Sequence, residues 1–555
     1  MRVHPAAFRW ATACGAALLA IACGHDGPTA LVPVAATITI ESGVPTLTAI
    51  GDSVSLSATI RDRDGNTLSR VPVIWESLTP EVASVTTGGV VVAKENGTAL
   101  IAARADDARD TTTVTVAQSV ARIVFSTQPD SQLAGRALPR PVVVELQDAL
   151  GTPVTAIPTG PVTLTLGPVG TLAGTTTVTP VDGVATFTDL TVPEPGHAYW
   201  LRASAGDLPP AVSSVFDVYV PFVSVSAGGV HTCGLADDGV AYCWGANEDG
   251  RVGDGSTTTR SLPARVAGDQ RFVEVHAGSP GTWARTPEGK SFRWGDGMTI
   301  PTAFASDYTF ASLSTKWSTC GITLAGLGYC WGDQVWDGDD PTLVLDGRAL
   351  TALESGEDNG CGIATDGAIW CVGNNPSGEL GNGTTAYTAT PTAVVGGLRF
   401  TMLGMGEEHT CGLTTDGLTY CWGRNQYQQL GNSAAGAQIS VPVAVGGGRH
   451  FTTISVGAWH ACGLEAGGAA YCWGDNRYGM LGIGSQDAWS ATPKLVAGGH
   501  TFVAISAGSY QSCGITAEGF TYCWGDNLNG ALGIGSTPLT AYTPVLVAGP
   551  ALPPG

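Results

Sequence analysis

The sequence predicts an all-β protein with two sandwich domains followed by a ring of repeated sheets. The 555 residues include 77 glycines and 33 prolines, while 13% are charged and 43% are hydrophobic. This composition is typical of a turn-rich chain that still buries a core. The region before residue 220 alternates short apolar-polar segments with turn residues, which predicts short strands. The rest of the chain repeats one pattern seven times.

Residues 1–22 have the layout of a secretory signal peptide. Two arginines precede an apolar run that ends at Ala22 and is shorter than the roughly 20 residues that a membrane-spanning helix needs. The next residue, Cys23, ends the segment LLAIAC, which resembles a bacterial lipoprotein lipobox. This resemblance implies lipidation of Cys23, a lipidated linker over residues 23–34, and a cell-envelope lipoprotein at the outer membrane or cell surface. Simple secretion is the alternative.

Two β-sandwiches are predicted over residues 35–117 and 120–219. In the first, residues 82–85 (VASV) and 97–101 (GTALI) resemble the bacterial immunoglobulin-like group 2 family. In the second, residues 183–187 (GVATF) are similar to immunoglobulin-like domains of the invasin or filamin kind. These resemblances imply surface spacer or adhesive modules without catalysis. Neither segment contains a cysteine, so each core must be stable without a disulfide.

Residues 222–548 contain seven units of about 47 residues each, enough for the four strands of a propeller blade. Each unit contains a Trp-Gly pair, except the fourth, where Val372 takes the tryptophan position. The repeated pattern resembles the regulator of chromosome condensation repeat family, which implies a seven-bladed β-propeller. We expect residues 222–227 and 545–547 to pair and close the ring, followed by a tail over residues 549–555.

Six of the seven units carry two cysteines ten residues apart. In the second unit both positions change together, to Trp283 and Arg293, which indicates that the cysteines act as pairs. A glycine six residues after the first position predicts a three-residue hairpin loop that places the two cysteines opposite each other. Zinc is the weaker alternative, because no C-x₂-C motif occurs. The predicted disulfides, which need an oxidising compartment, are Cys233–Cys243, Cys320–Cys330, Cys361–Cys371, Cys411–Cys421, Cys462–Cys472 and Cys513–Cys523.

Two groups of polar residues are weak metal candidates. His231, His409 and His460 precede their cysteines by two residues and could form a metal or acid-base cluster around the axis. Other units have different polar residues or glycine there, which favours local hydrogen bonding. The third unit carries a loop whose carboxylates could bind Ca²⁺, although a solvated acidic loop is favoured; these residues are Asp333, Asp337, Asp339 and Asp340. No cofactor is implied.

Aromatic residues between the repeated strands are the better candidates for contact with a partner. Aromatic side chains dominate binding hot spots, and propeller rims are expected where these residues fall. Packing between the blades is an equally strong alternative. The candidates are Trp336, Tyr387, Tyr427, Tyr478, Trp489 and Tyr542.

The formal net charge of −21 disfavours binding to nucleic acid or to anionic lipid headgroups. No catalytic motif occurs in a fitting context, and no basic amino-terminal tail supports the nucleotide-exchange activity known from the repeat family. The sequence therefore predicts a monomeric binding or adhesion protein, attached to the membrane only by its lipid, that presents a propeller to an extracellular protein or glycan. The alternative is an extracellular polysaccharide hydrolase or lyase that uses rim carboxylates.

Overall fold

The computed structural model describes residues 34–552, except residues 42, 44, 156–159, 280, 306, 333–337 and 434–435. The all-β class is confirmed: the described residues form strands and one single-turn 3₁₀ helix, Leu345–Gly347. Among these residues, none belongs to a helix with the length and apolar character to cross a membrane. The predicted signal peptide over residues 1–22 and the predicted lipidation site Cys23 lie outside the described residues. The chain divides into two compact units, Met1–Ala121 with Gln147–Ala156, and Arg122–Leu146 with Ile157–Gly555.

The first unit contains three small antiparallel sheets, with strand orders β1-β3, β2-β6-β5 and β4-β7-β8. Alternating residues of the long strands β7 and β8 are buried, and Ile101 and Val114 have no exposed surface. The strands are β1 (Thr37–Ile40), β2 (Ser53–Ser55), β3 (Ala58–Arg61), β4 (Ile74–Ser77), β5 (Ala83–Val85), β6 (Val90–Ala93), β7 (Gly97–Ala105) and β8 (Ala108–Val116).

The second unit begins with two sheets, ordered β14-β11-β9 and β10-β17-β15-β12-β13, with β16 paired to β15. Burial alternates along β11 and β15, as expected for strands with one face on a core. The strands are β9 (Arg122–Thr127), β10 (Gln132–Leu133), β11 (Val142–Gln147), β12 (Val162–Gly167), β13 (Thr177–Val178), β14 (Val184–Phe187), β15 (Gly196–Ser204), β16 (Ala211–Val212) and β17 (Phe216–Tyr219).

Seven four-stranded antiparallel sheets follow, each built from four consecutive strands that we call a, b, c and d. Sheet 1 contains β18 (Phe222–Ala227), β19 (His231–Ala236), β20 (Ala241–Gly245) and β21 (Arg260–Arg265); sheet 2 contains β22 (Glu274–Ala277), β23 (Gly281–Arg285), β24 (Ser291–Gly295) and β25 (Met298–Phe304); sheet 3 contains β26 (Phe310–Thr315), β27 (Thr319–Thr323), β28 (Gly328–Gly332) and β29 (Gly338–Leu343). Sheet 4 contains β30 (Leu350–Ser355), β31 (Asn359–Ala364), β32 (Ile369–Gly373) and β33 (Thr388–Ala393); sheet 5 contains β34 (Phe400–Met405), β35 (His409–Thr414), β36 (Thr419–Arg424) and β37 (Gln438–Ala444). Sheet 6 contains β38 (Phe451–Val456), β39 (His460–Glu465), β40 (Ala470–Asp475) and β41 (Trp489–Leu495); sheet 7 contains β42 (Phe502–Ala507), β43 (Gln511–Thr516), β44 (Thr521–Asp526) and β45 (Thr540–Leu546).

The a strands pack against one another in sequence, and the a strand of sheet 7 packs against that of sheet 1, so the ring is closed. The expected closure by pairing residues 222–227 with 545–547 is wrong, because β18 pairs with β19 and β45 pairs with β44. Side-chain packing closes the ring instead: Phe222 and Trp244 of sheet 1 share a core with Leu532 of the seventh repeat. Each of the seven sheets therefore consists of four consecutive strands of the chain.

The predicted disulfides are present, and each one crosses a bc hairpin. In sheet 1, Cys233 lies directly opposite Cys243, and their Cα atoms are 4.1 Å apart. The loop between these strands has three residues and ends at Gly239, whose φ of 82° is favourable for glycine. The same ten-residue spacing and direct pairing recur in the other five disulfides. In sheet 2, Trp283 packs edge to face on Phe304 at 4.7 Å and on Trp331 at 5.4 Å in place of a disulfide.

The long cd loops of sheets 1, 4, 5, 6 and 7 are organised by one buried asparagine each. In sheet 6, the side-chain oxygen of Asn476 accepts a hydrogen bond from the amide of Leu481 at 3.1 Å. Its amide nitrogen donates to the carbonyls of Ser485 and Asp487 at 3.0 and 2.8 Å. The side chain thus replaces the backbone partners that a turn lacks. Equivalent asparagines are Asn247, Asn375, Asn425 and Asn527.

Each of these cd loops docks on the tryptophan of the following sheet. The loop of sheet 6 places the carbonyl of Met480 2.8 Å from Nε1 of Trp524, which donates the hydrogen bond. The same loop buries Leu481 completely and brings Gly482 against the indole ring. A Cβ on Gly482 would lie 2.7 Å from Cδ1 of Trp524, so only glycine permits this contact. The loop of sheet 7 reaches Trp244 of sheet 1 in the same way.

We predict that Gly482→Ala lowers the free energy of unfolding by about 3 kcal/mol, because the new methyl group adds a clash to an unfavourable positive φ. Gly484 is the matched control, since its φ is +74° but a Cβ there would meet no atom closer than 3.6 Å. Gly484→Ala should cost only about 1 kcal/mol. Urea unfolding followed by tryptophan fluorescence measures both, and equal losses would contradict the proposed contact.

Candidate functional site

The ab and cd loops lie at the same end of each sheet. Strands b and c are antiparallel, and His231 at the start of b pairs with Gly245 at the end of c in sheet 1. The ab loop, which leads into b, and the cd loop, which leaves c, therefore project from the same end. We call this end of the ring the ab face. It collects residues from two loops of every sheet at one surface.

An aromatic belt lies on the ab face in sheets 5 to 7. The rings of Tyr427 and Trp459 meet edge to face at 5.7 Å, and those of Tyr478 and Tyr510 meet at 5.6 Å. Tyr478 is 44% exposed and Tyr510 is 36% exposed. Partly exposed tyrosine and tryptophan rings offer large contact areas with little conformational entropy to lose. We define the belt as Tyr427, Trp459, Tyr478 and Tyr510 with Arg424 and Arg477.

The two arginines of the belt stack on its rings. The guanidinium carbon of Arg424 is 5.1 Å from the ring centre of Trp459, and that of Arg477 is 4.2 Å from the ring centre of Tyr427. Asp475, which is buried, accepts hydrogen bonds from Arg477 at 2.6 and 3.0 Å. This hydrogen bonding raises the pKa of Arg477. The two stacked guanidinium groups hold the rings in place.

An acidic patch adjoins the belt in the loops of sheets 4 and 5. Arg424 donates a 2.8 Å hydrogen bond to Glu408, which connects the patch to the belt. Burial, with repulsion from Glu357 and Glu408, raises the pKa of Glu407 to about 7. Burial likewise raises the pKa of Glu379, which is 3% exposed, to about 7. Carboxyl groups with such pKa values can exchange protons at neutral pH.

The a strands line a channel along the ring axis with a volume of about 160 Å³. His276 and Glu274 are bonded at 2.9 Å, and Ser314 donates to Glu354 at 2.7 Å. Nζ of Lys316 donates to a backbone carbonyl of sheet 6 at 2.7 Å. Burial raises the pKa of Glu354 and lowers the pKa of Lys316. These polar groups already have hydrogen-bond partners within the protein, which favours a structural role for the channel.

The three candidate histidines are buried between sheets, and burial lowers the pKa of each to about 3. His231 and His460 each hydrogen-bond a hydroxyl group of the next sheet, at 2.8 and 2.7 Å. Among the described residues, His409 has no such partner, because the facing position is Ala461. No group of three or more histidine, cysteine, aspartate or glutamate side chains within the described ranges is arranged to hold a metal. The placements of His231 and His460 agree with the local hydrogen bonding expected from the sequence.

Of the predicted aromatic candidates, the structure brings Tyr427 and Tyr478 into the belt. Tyr387 and Trp489 are 58% and 53% exposed, but they lie at or just before d strands, at the outer edge of their sheets. Tyr542 is half-buried within the d strand of sheet 7. These three residues therefore do not join the belt.

The calcium candidates and Trp336 fall largely on a segment that the structure does not describe. Trp336, Asp333, Asp337 and the side chain of Asp339 lie outside the part of the chain that the structure describes. Asp340 is exposed in β29. A calcium site in this loop stays a prediction from the sequence.

Sequence reasoning missed Trp459, Tyr510, Trp317 and Glu407, all of which lie in ab loops. The signal was available in the repeats themselves. The residue just before the histidine position changes freely between units and is aromatic in sheets 3, 6 and 7, whereas the flanking strands keep their pattern. Variation at one position of a regular repeat marks a surface that packing does not constrain.

Together, the repeated sheets and their docked loops define a β-propeller repeat protein. The regulator of chromosome condensation (RCC1) repeat model matches residues 238–284, 416–464 and 467–515. A second model of the same repeat matches residues 222–251 and 451–479. The chain therefore carries RCC1 repeats.

Similar proteins share the repeat region. The human E3 ubiquitin-protein ligase HERC2 is 27% identical over 341 residues, which are 59% of this chain but only 5% of the ligase. The ultraviolet-B receptor UVR8 of Arabidopsis thaliana is 28% identical over 356 residues, 59% of this chain and 70% of the receptor. Among solved structures, Prp20p from Saccharomyces cerevisiae is 19% identical with a TM-score of 0.48, covering 52% of this chain and 80% of that one.

We predict that Glu379→Gln stabilises the protein at pH 8 but not at pH 4. A carboxyl whose pKa is raised from 4.5 to about 7 by folding reduces stability as the pH rises through this interval, because the unfolded chain loses its proton first. The variant should gain about 2 kcal/mol at pH 8. Urea midpoints at both pH values measure the effect, with Glu248→Gln at an exposed loop position as the control. Equal gains at both pH values would contradict the assigned cause.

Proposed function

We propose that this protein is an exported binding protein in which a seven-bladed propeller presents its ab face to a protein or glycan outside the cytoplasm. The observation that carries the proposal is the aromatic belt. Its rings are partly exposed, and stacked, carboxylate-bound arginines hold them in a preformed arrangement. A rigid surface of aromatic rings and arginines loses little conformational entropy on binding, which favours recognition.

The six disulfides favour an oxidising compartment and therefore export. We propose that residues 1–22 direct this export and that lipidated Cys23 attaches a monomeric chain to the cell envelope. Residues 35–117 and 120–219 would then act as two immunoglobulin-like modules that carry the propeller away from the membrane. Their small sheets with alternating burial support sandwich packing.

The charge of the chain restricts the partner. A formal net charge of −21 opposes nucleic acid and anionic lipid surfaces. The belt contains two arginines that bond to the carboxylates of Glu408 and Asp475, so a partner with mixed polar groups fits it better than a highly charged polymer. We do not propose nucleotide-exchange activity.

A second candidate function is cleavage of an extracellular polysaccharide. It is favoured by the acidic patch, where Glu407 has a pKa of about 7 and lines a depression at the ring axis with Lys316 and Trp317. A carboxyl that keeps its proton near neutral pH can act as a general acid toward a glycosidic oxygen.

Affinity capture tests the binding function. We expect the exported, oxidised full chain to capture a partner from the cell-surface proteome or from a glycan panel. The double variant Trp459→Ala/Tyr510→Ala should weaken this binding by roughly 30-fold or more, because it removes the ring surface of the belt. Trp489→Ala removes a more exposed aromatic ring on the outer d strand of sheet 6 and should leave the affinity unchanged.

Two results would contradict the binding function. The first is an equal loss of affinity in the belt variant and the outer-edge control. The second is polymer cleavage without any captured partner, abolished by Glu407→Gln, which would establish the enzymatic alternative instead.

The cellular location has its own test. We expect the chain to fractionate with membranes and to incorporate a labelled fatty acid, and Cys23→Ser should abolish both. Peptide mapping without reduction should recover the bridges, including Cys462–Cys472. Release of the protein without the Cys23→Ser substitution into the medium would support simple secretion. Free thiols at Cys462 and Cys472 would argue against an oxidising compartment.

A further inference from the structure

The docking of cd loops onto tryptophans includes the same hydrogen bond at four of the six repeat tryptophans. In sheets 1, 5, 6 and 7, the indole Nε1 donates to a backbone carbonyl of the preceding repeat. The distances lie between 2.8 and 3.1 Å, and the glycine of the same loop covers the ring. The donor-acceptor pairs are Trp244 with Ala531, Trp422 with Glu379, Trp473 with Gln429, and Trp524 with Met480.

Sheet 2 cannot provide such a loop to sheet 3. Its c and d strands are joined by Asp296 and Gly297 alone, with φ values of 51° and 86°, which is a tight two-residue hairpin turn. The tryptophan of sheet 3, Trp331, is only 1% exposed, and among the described residues its Nε1 has no acceptor. The hydroxyl of Thr319, whose equivalents also donate to the loop carbonyl, bonds to Thr315 instead.

The missing loop leaves a pocket of about 110 Å³ between sheets 2 and 3. The rings of Trp283 and Trp331, 5.4 Å apart at their centres, form part of its wall. Trp317, which is 40% exposed, belongs to the same lining, so the pocket reaches the surface. Trp294 also lines it, and its Nε1 lacks an acceptor among the described residues, although the loop of sheet 1 covers its ring at Gly253.

We propose that this pocket binds a turn of a partner polypeptide, which places a backbone carbonyl on Nε1 of Trp331 and a glycine against its ring. An indole N–H can only donate, so the buried group requires an acceptor, and leaving it without one is costly. The protein's own loops show which ligand fits this geometry, because four equivalent tryptophans already bind a turn of this kind. The site is independent of the aromatic belt of sheets 5 to 7.

A peptide taken from the protein itself provides the probe. We would titrate the acetylated and amidated heptapeptide of residues 476–482 (NRYGMLG), which contains the turn that serves Trp524, into the full chain with ¹⁵N-labelled tryptophans. The indole resonance of Trp331, assigned through Trp331→Phe, should shift as the peptide binds. A control peptide with alanine in place of its final glycine should bind at least fivefold more weakly, because its methyl group would meet the indole ring.

Two variants of the full chain make the result decisive. Trp331→Phe keeps a ring but removes the donor, and it should weaken peptide binding roughly fivefold or more, whereas Trp489→Phe should not. If Trp331→Phe fails to fold, a second variant replaces Asp296 and Gly297 by residues 476–488. The grafted loop should occupy the pocket and abolish peptide binding while leaving Trp331 in place.

Several outcomes would overturn the proposal. These are no shift of the Trp331 resonance at millimolar peptide, undiminished binding to folded Trp331→Phe, and undiminished binding to the loop-grafted chain. A shift of the same resonance by N-acetylglucosamine but not by the peptide would also overturn it, because the pocket would then recognise an acetamido sugar.

Discussion

The hydrogen bond from a buried indole N–H to a carbonyl of the preceding repeat organises four of the seven junctions of the ring. It joins neighbouring sheets that share no strand, and it works only because an asparagine shapes the loop and a glycine lets the loop touch the indole ring. A sheet that is hydrophobic on both faces cannot be stable alone, so each repeat depends on its neighbours. The seventh repeat bonds to Trp244 of the first, and the ring thereby closes without exchanging a strand.

The same docking creates the candidate binding surface. Tyr427 and Arg477 belong to successive repeats. They can stack, with the guanidinium carbon 4.2 Å from the ring centre, because each cd loop is held against the next sheet. The belt is thus assembled across sheet boundaries, and its rigidity derives from the scaffold beneath it. The nearby glutamates reduce stability at neutral pH, since the raised pKa of Glu407 reflects burial and repulsion. Such a cost is common where a surface is shaped for binding or chemistry rather than for stability.

Much of the architecture could be predicted from the sequence, because the spacing of residues within a repeat determines the geometry of its hairpins. The ten-residue cysteine spacing with an intervening glycine specified a three-residue hairpin loop, which places Cys233 opposite Cys243. The closure expected between residues 222–227 and 545–547 was wrong, because sequence similarity between repeats does not reveal whether the ends meet by strand pairing or by side-chain packing.

The binding residues were only partly predictable. Tyr427 and Tyr478 were selected as loop aromatics, but so was Trp489, and no local pattern separates a ring that packs into the belt from one on the outer d strand. The sequence by itself determined the repeat, the all-β class and the disulfides, because these depend on spacing along one hairpin. Only the tertiary structure decided that Trp459 stacks with Arg424 and that Trp331 lacks an acceptor. These contacts join different repeats, and their geometry follows from the closure of the ring.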